Sequence, residues 1–155
     1  MVSEVEEFLA DMLPRQLAAE HALCRGDATP RSTTWSRRDP VTLFGALIPV
    51  RRGWDEVSGT FDWLARRFSD LHDYEFELVA AGASGDLAYT VGFEHKTVVA
   101  DGGPTTYTLR VTHIYRREDG RWCIVHRHGD HPPAPDREPG EDTASGAGPD
   151  ATSTA

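Results

Sequence analysis

Over residues 87–128 apolar and polar side chains alternate through three runs, separated only by Asp101-Gly102-Gly103-Pro104 and by Asp119-Gly120. Turns that short between runs of period two are the signature of consecutive antiparallel strands. Residues 74–83, with Tyr74, Phe76 and Leu78 set against Glu75 and Glu77 and turned by Ser84-Gly85-Asp86, put a fourth strand ahead of them. Side chains two apart share a face of a strand. Tyr89, Val91, Phe93 and His95 therefore make one mostly apolar wall with a titratable tip, which is expected to line a pocket for a small organic molecule.

Helical spacing dominates the chain before that meander. Ser3 followed by Glu6 is a capping box, and Val5, Phe8, Leu9, Met12 and Leu13 recur as one stripe. Pro14 predicts a kink or a restart, because proline inside a helix costs about 3 kcal/mol; Cys24 and Gly26 mark the end. A short helical piece capped by Asp27, with Pro30 in its first turn, should run toward Trp35. Residues 41–44 and 50–52 read as a small hairpin. Val57, Phe61, Leu64, Ala65 and Phe68 mark a helix that must lie on a sheet. Helices first, then a hairpin, one helix and a meander is an α+β order, not an alternating βαβ one.

Charge excludes one class of partner. The chain of 155 residues carries a net −9, of which −4 falls in residues 132–155, an acidic stretch rich in Pro, Gly, Ala, Ser and Thr. That stretch cannot build a core and is expected to be a disordered tail behind a single domain of residues 1–131. The pairs Arg37-Arg38, Arg51-Arg52, Arg66-Arg67 and Arg116-Arg117 sit among acids, so no basic stripe for nucleic acid is expected. Two cysteines, Cys24 and Cys123, suit reduced thiols in a cytoplasmic protein. Neither a leader nor a membrane-crossing run is expected. Lys96 is the only lysine among 16 basic residues, which reads as coding bias and not as a site.

Arg25-Gly26-Asp27 after the first helix, and Ser84-Gly85-Asp86-Leu87-Ala88-Tyr89 opening a long strand, resemble the nuclear transport factor 2-like superfamily. Arg116-Arg117-Glu118-Asp119-Gly120-Arg121-Trp122, followed by Ile124-Val125-His126-Arg127-His128, is similar to the C-terminal hairpin of its SnoaL-like, ketosteroid isomerase-like branch, and to the one closing calcium/calmodulin-dependent kinase association domains. The resemblance spans residues 5–131. It implies an α+β roll: a cone-shaped, curved antiparallel sheet wrapped around the N-terminal helices, open at one end into an apolar pocket and dimerising through the outer face of the sheet. It further implies a small organic ligand and either cofactor-free dehydratase or isomerase chemistry or a non-catalytic binding or assembly module.

Ala88-Tyr89-Thr90-Val91-Gly92-Phe93-Glu94-His95 resembles a strand of the steroid isomerases, yet the three positions of their apparatus hold Phe44, Ala19 and Thr112 here, and Asp39 lies five residues early for the base. Isomerisation by that apparatus is not expected. Dehydratase-type chemistry draws on histidine, whose ordinary pKa near 6.5 suits acid/base work. His113 and His126 are the candidate catalytic pair, with Tyr89, Phe93, His95, Arg110, Thr112, His128 and Trp63 as candidate ligand-binding residues and Arg110 as the anchor for ligand charge. No metal or cofactor is expected, since His126 and His128 lack further ligands at useful spacing.

One ambiguity remains open at this point. Pairing residue 117 with 121 would gather Arg110, Thr112, Ile114, Ile124, His126 and His128 on one face. Pairing 118 with 121 would group His113 with His126 and His128 instead, or Thr112 with Val125 and Arg127. The histidines otherwise serve as cross-strand hydrogen-bonding groups or dimer contacts, and the tryptophans as core.

Overall fold

Ser3 caps the first helix, α1 (Glu4–Cys24), by accepting from the Glu6 amide at 3.2 Å. In the computed structural model, which describes residues 1–134, this helix continues through Pro14, where a kink or restart was predicted. It ends in a Schellman arrangement: the Gly26 amide donates to Leu23 and the Asp27 amide to Ala22. Asp27 then accepts from the Thr29 amide at 3.0 Å, opening the single turn α2 (Thr29–Thr34). Of the expected tail over residues 132–155, all beyond residue 134 lies outside the described residues.

β1 (Thr42–Phe44) and β2 (Arg51–Arg52) form the small hairpin, and α3 (Gly53–Arg67) buries Val57, Thr60, Phe61 and Ala65. The meander follows as β3 (Phe68–Ser84), β4 (Leu87–Ala100), β5 (Gly103–Glu118) and β6 (Arg121–Asp130). The strands assemble as one curved, unclosed, six-stranded sheet in the order β2-β1-β6-β5-β4-β3. It is mixed, because β1 runs parallel to β6, with Leu43 opposite Arg127.

The helices cover the concave face of this sheet and fill one end of the cone. Phe8 packs edge-on against Tyr115 and Trp122, at 4.7 and 5.1 Å between ring centres, with Met12, Trp35, Val57, Phe61 and Ile124 completing an apolar plug. Each fully buried large side chain contributes about 1.5–3 kcal/mol. Further along α1 the same stripe turns polar. Phe8, Met12, Gln16 and Glu20 follow at intervals of four, all buried, so the helix lays two apolar and then two polar groups along the sheet.

The last hairpin starts in the second of the two registers considered, with Arg117 facing Trp122 and not Arg121. Asp119 and Gly120, at φ 52° and 79°, form a two-residue turn that pairs Glu118 with Arg121. A bulge then intervenes: Tyr115 faces Ile124 while Ile114 faces His126, leaving Val125 unpaired. One extra residue exchanges the faces. Trp122 and Ile124 point inward before the bulge and Arg127 and Gly129 after it, so His126 and His128 are turned outward.

Candidate cationic pocket at the cone mouth

Beyond the apolar plug the concave face carries an ion-pair network. β4 presents Thr90, Glu94 and Lys96 inward, β5 presents His113 and Tyr115, β6 presents Arg127, and α1 and α2 supply Gln16, Glu20 and Arg31; all are buried. Arg127 holds Glu94 with two bonds of 2.8 and 3.1 Å, and Arg31 holds Glu20 with two of 2.9 and 3.0 Å. Lys96 lies between the two carboxylates, 3.5 Å from Glu94 and 3.8 Å from Glu20. Tyr74 donates to Glu94 at 2.9 Å. Behind Arg127, the His113 ring stands 3.4 Å from Nη1 and 3.3 Å from the Gln16 amide, which also meets the Tyr115 hydroxyl.

These contacts fix the charges. Burial opposes ionisation of Glu94, but Arg127 and Lys96 overcome it and hold the carboxyl well below the usual range. Burial likewise opposes the Lys96 ammonium, and Glu94 and Glu20 raise its pKa instead. His113 is pushed well below 6.5, by burial first and by the Arg127 guanidinium second, so it is neutral. Burial and Glu94 raise Tyr74, keeping it protonated. A cluster of this kind is poor value for stability, since well-packed apolar residues of similar volume do as well or better. Shifted groups of this kind cluster at functional sites, which makes this network the candidate site.

Between the network and the cone mouth lies a cavity of about 280 Å³. Leu23, Leu43, Leu47, Ile48, Leu64 and Leu109 supply an apolar wall, and Lys96, Arg127, Arg31 and Tyr107 a polar one. His113 is not among its lining residues. Arg67 and Asp101, 2.7 Å apart, form a balanced pair at the rim.

The expected site residues do not line this cavity; Phe93, Arg110, Thr112 and His128 come together instead around a second hollow, on the convex face, with Val91 and Asp130. Tyr89, Phe93, His95, Arg110, Thr112, His126 and His128 are all on the convex face, turned away from the helices. His95 bonds Glu77 at 3.0 Å and Thr108 at 2.9 Å. Arg110 is engaged by Asp130 through bonds of 2.7 and 3.0 Å. His126 bonds Thr42 at 2.7 Å and, with His128, flanks the Phe44 ring. Trp63 is 39% exposed on α3, with the Arg67 guanidinium over its ring. Of the nine candidates only His113 faces inward, and the sheet separates it from His126.

The physical reason lies in α1. With Gln16 and Glu20 on its buried stripe, this helix needs polar partners on the sheet, so the polar face of β4 turns in and the apolar face turns out. The residues missed by sequence reasoning are Glu20, Arg31, Glu94, Lys96, Tyr107 and Arg127. Two signals pointed to them: the continuation of the Phe8-Met12 stripe into Gln16 and Glu20, and a Glu-x-Lys pair midway along a strand flanked by others on both sides. Among the described residues no group of three or more potential metal-ligating side chains is assembled, and no helix is long and apolar enough to cross a membrane.

Comparison with known proteins bears on the fold. A candidate dehydratase of the NTF2-like family from Streptomyces avermitilis superposes with a TM-score of 0.68 at 19% identity, covering 83% of this chain and 98% of that one. A ketosteroid isomerase-like protein from Erwinia carotovora atroseptica gives 0.66 at 19%, covering 81% and 96%. A candidate calcium/calmodulin-dependent protein kinase type II association domain from Thiobacillus denitrificans gives 0.67 at 18%, covering 79% and 96%. Among curated protein sequences none matches significantly. The SnoaL-like domain family, in contrast, matches residues 18–134, from the polar half of α1 to the end of the described chain. The cone is thus similar to that of NTF2-like structures, and the match over most of the chain's length places the protein in the SnoaL-like domain family, to which it belongs.

Proposed function

We propose that the chain binds a small organic molecule in the cavity at the cone mouth, with the apolar part of the ligand against the leucines and its polar end against Lys96, Arg127 and Tyr107. The observation that carries this reading is the cavity itself, a space of about 280 Å³ with an apolar wall and convergent charged groups at one end. That is about twice the ~150 Å³ of a cavity known to take benzene, which suits a substituted ring or a short branched chain.

The names of the similar structures, a candidate dehydratase and a ketosteroid isomerase-like protein, bring dehydratase or isomerase chemistry into the reading. His113 and His126 acting together are not part of it, since their rings lie on opposite faces of the sheet. Its catalytic form rests instead on Lys96 and Arg127, two fixed cations able to stabilise negative charge developing on a ligand carbonyl oxygen. An assembly module would need no such cavity.

Native mass spectrometry of the protein purified from its own host provides the test. The expected result is a retained small molecule, lost in Thr105→Trp, where an exposed residue at the mouth is replaced by one that obstructs it. Retention of the same molecule by that variant would contradict the proposal.

A further inference from the structure

We infer that the ligand of this cavity is a small monocarboxylate with an apolar body, its carboxylate held by Lys96 and Arg127; the inference rests on reading the cavity as the ligand site. The argument is one of charge. Among the described residues the buried ionic groups are two carboxylates, Glu20 and Glu94, and three cations, Arg31, Lys96 and Arg127. Each arginine has a carboxylate of its own, gripped by two hydrogen bonds. Lys96 is left over. Its nearest carboxylate oxygens are at 3.5 and 3.8 Å, beyond good hydrogen-bond length for an ammonium, and the Tyr74 and Tyr107 rings stand 5.7 and 5.9 Å away.

The buried network therefore carries one positive charge in excess, with Lys96 shared between two carboxylates that each already serve an arginine. Loss of a proton does not remove it, because the flanking carboxylates favour the charged ammonium. A buried excess of charge is costly, and Lys96 borders the cavity together with the Arg127 guanidinium. Gly129 keeps that guanidinium uncovered: a Cβ at position 129 would stand 3.4 Å from Nη2. A single carboxylate entering here neutralises the surplus and accepts from Lys96, while the six surrounding aliphatic side chains receive an apolar body. A dianion would leave an excess of the opposite sign.

The test compares acids with their amides, which match them in shape and lack the charge. Benzoate, cinnamate and hexanoate, each paired with its amide, are titrated into the full chain and into Lys96→Met, with binding read by chemical-shift perturbation. At least one acid should bind ten-fold or more tightly than its amide to the wild-type protein, and that advantage should vanish in Lys96→Met. The ligand-free variant should melt no lower than wild type, since two arginines then face two carboxylates. Equal binding of acid and amide would overturn the carboxylate inference and leave the cavity reading standing. Binding of neither series would overturn the cavity reading along with it. The comparison within wild type needs no variant and stands whether or not Lys96→Met folds.

Discussion

Glu94 and Lys96 show at the level of single residues how burial and pairing decide the chemistry of this interior. Replacing Glu94 by Gln leaves three buried cations against one carboxylate, and breaking a buried pair in this way costs about 3–5 kcal/mol. Chemical denaturation of Glu94→Gln should show a loss of that order, whereas Lys96→Met should show little or none; equal losses would contradict the assignment of Lys96 as the surplus charge. His113 sets the response to acid. Its folded pKa lies well below 6.5 because the ring is buried beside Arg127. The unfolded chain accepts a proton near pH 6.5 that the folded chain refuses, so stability is complete above that pH and falls as the pH drops toward the lowered folded value. His126, also lowered, acts with the same sign, and Glu94 adds a further loss below 4.5. The urea midpoint should therefore be level at about pH 7–8 and decline below about 6.5, with a shallower decline in His113→Gln. An unchanged slope in that variant would show that His113 is not the neutral buried group described. Residue roles were the least legible part of the sequence. Lys96 stood out as the only lysine, but its rarity reads equally as coding bias. Arg127 was hidden between two histidines that drew attention to themselves.

Elements were far easier to read, because their signals are local. The Ser3 cap, the Gly26 stop, the stripe of α3 and the turn at Asp119-Gly120 all follow from residues within a few positions of one another. What local pattern does not contain is which face of a strand turns inward. The apolar set on β4 is Tyr89, Val91 and Phe93, and only the polar stripe of a helix some seventy residues earlier makes that set the outer one. Nor does alternation reveal the bulge at Val125, since a one-residue change of register in β6 requires knowing that Trp35 and Ser36 meet Ile124 while β1 meets residues 126–128. That bulge is what brings Arg127 to Glu94. Deleting Val125 would remove the unpaired residue and set His126 directly after Ile124, a regular strand that keeps Arg127 inward and His126 and His128 outward. The deletion variant should therefore keep the Glu94 pair and unfold cooperatively on heating; loss of cooperative unfolding would contradict Val125 as the residue that carries the change of register. Gly92 has a comparable place on β4. A Cβ there would stand 2.7 Å from the Phe76 ring, so Gly92→Val should lower the melting temperature by forcing β3 away from β4.

Viewed as a whole molecule, the cone has two faces with different tasks. Its interior holds the plug, the ionic network and the cavity, and its exterior presents Phe44, Val79, Tyr89 and Ile114, each more than a third exposed, together with Phe93 and the outward histidines. So much apolar surface on the convex face supports the proposal of a homodimer that covers it. Sedimentation equilibrium should give twice the chain mass for the wild type and the chain mass for a Val79→Lys, Tyr89→Glu double variant; a monomeric wild type would contradict the proposal. The central claim is that the working surface is the cavity inside the cone and not the histidine-rich outer face. Amide chemical-shift mapping with a mixed set of small acids and neutral compounds tests it most directly. The account predicts perturbations at Leu23, Ile48, Leu64, Tyr107 and Gly129 with Phe93, Thr112 and His128 unmoved, and shifts confined to those outer residues would contradict it.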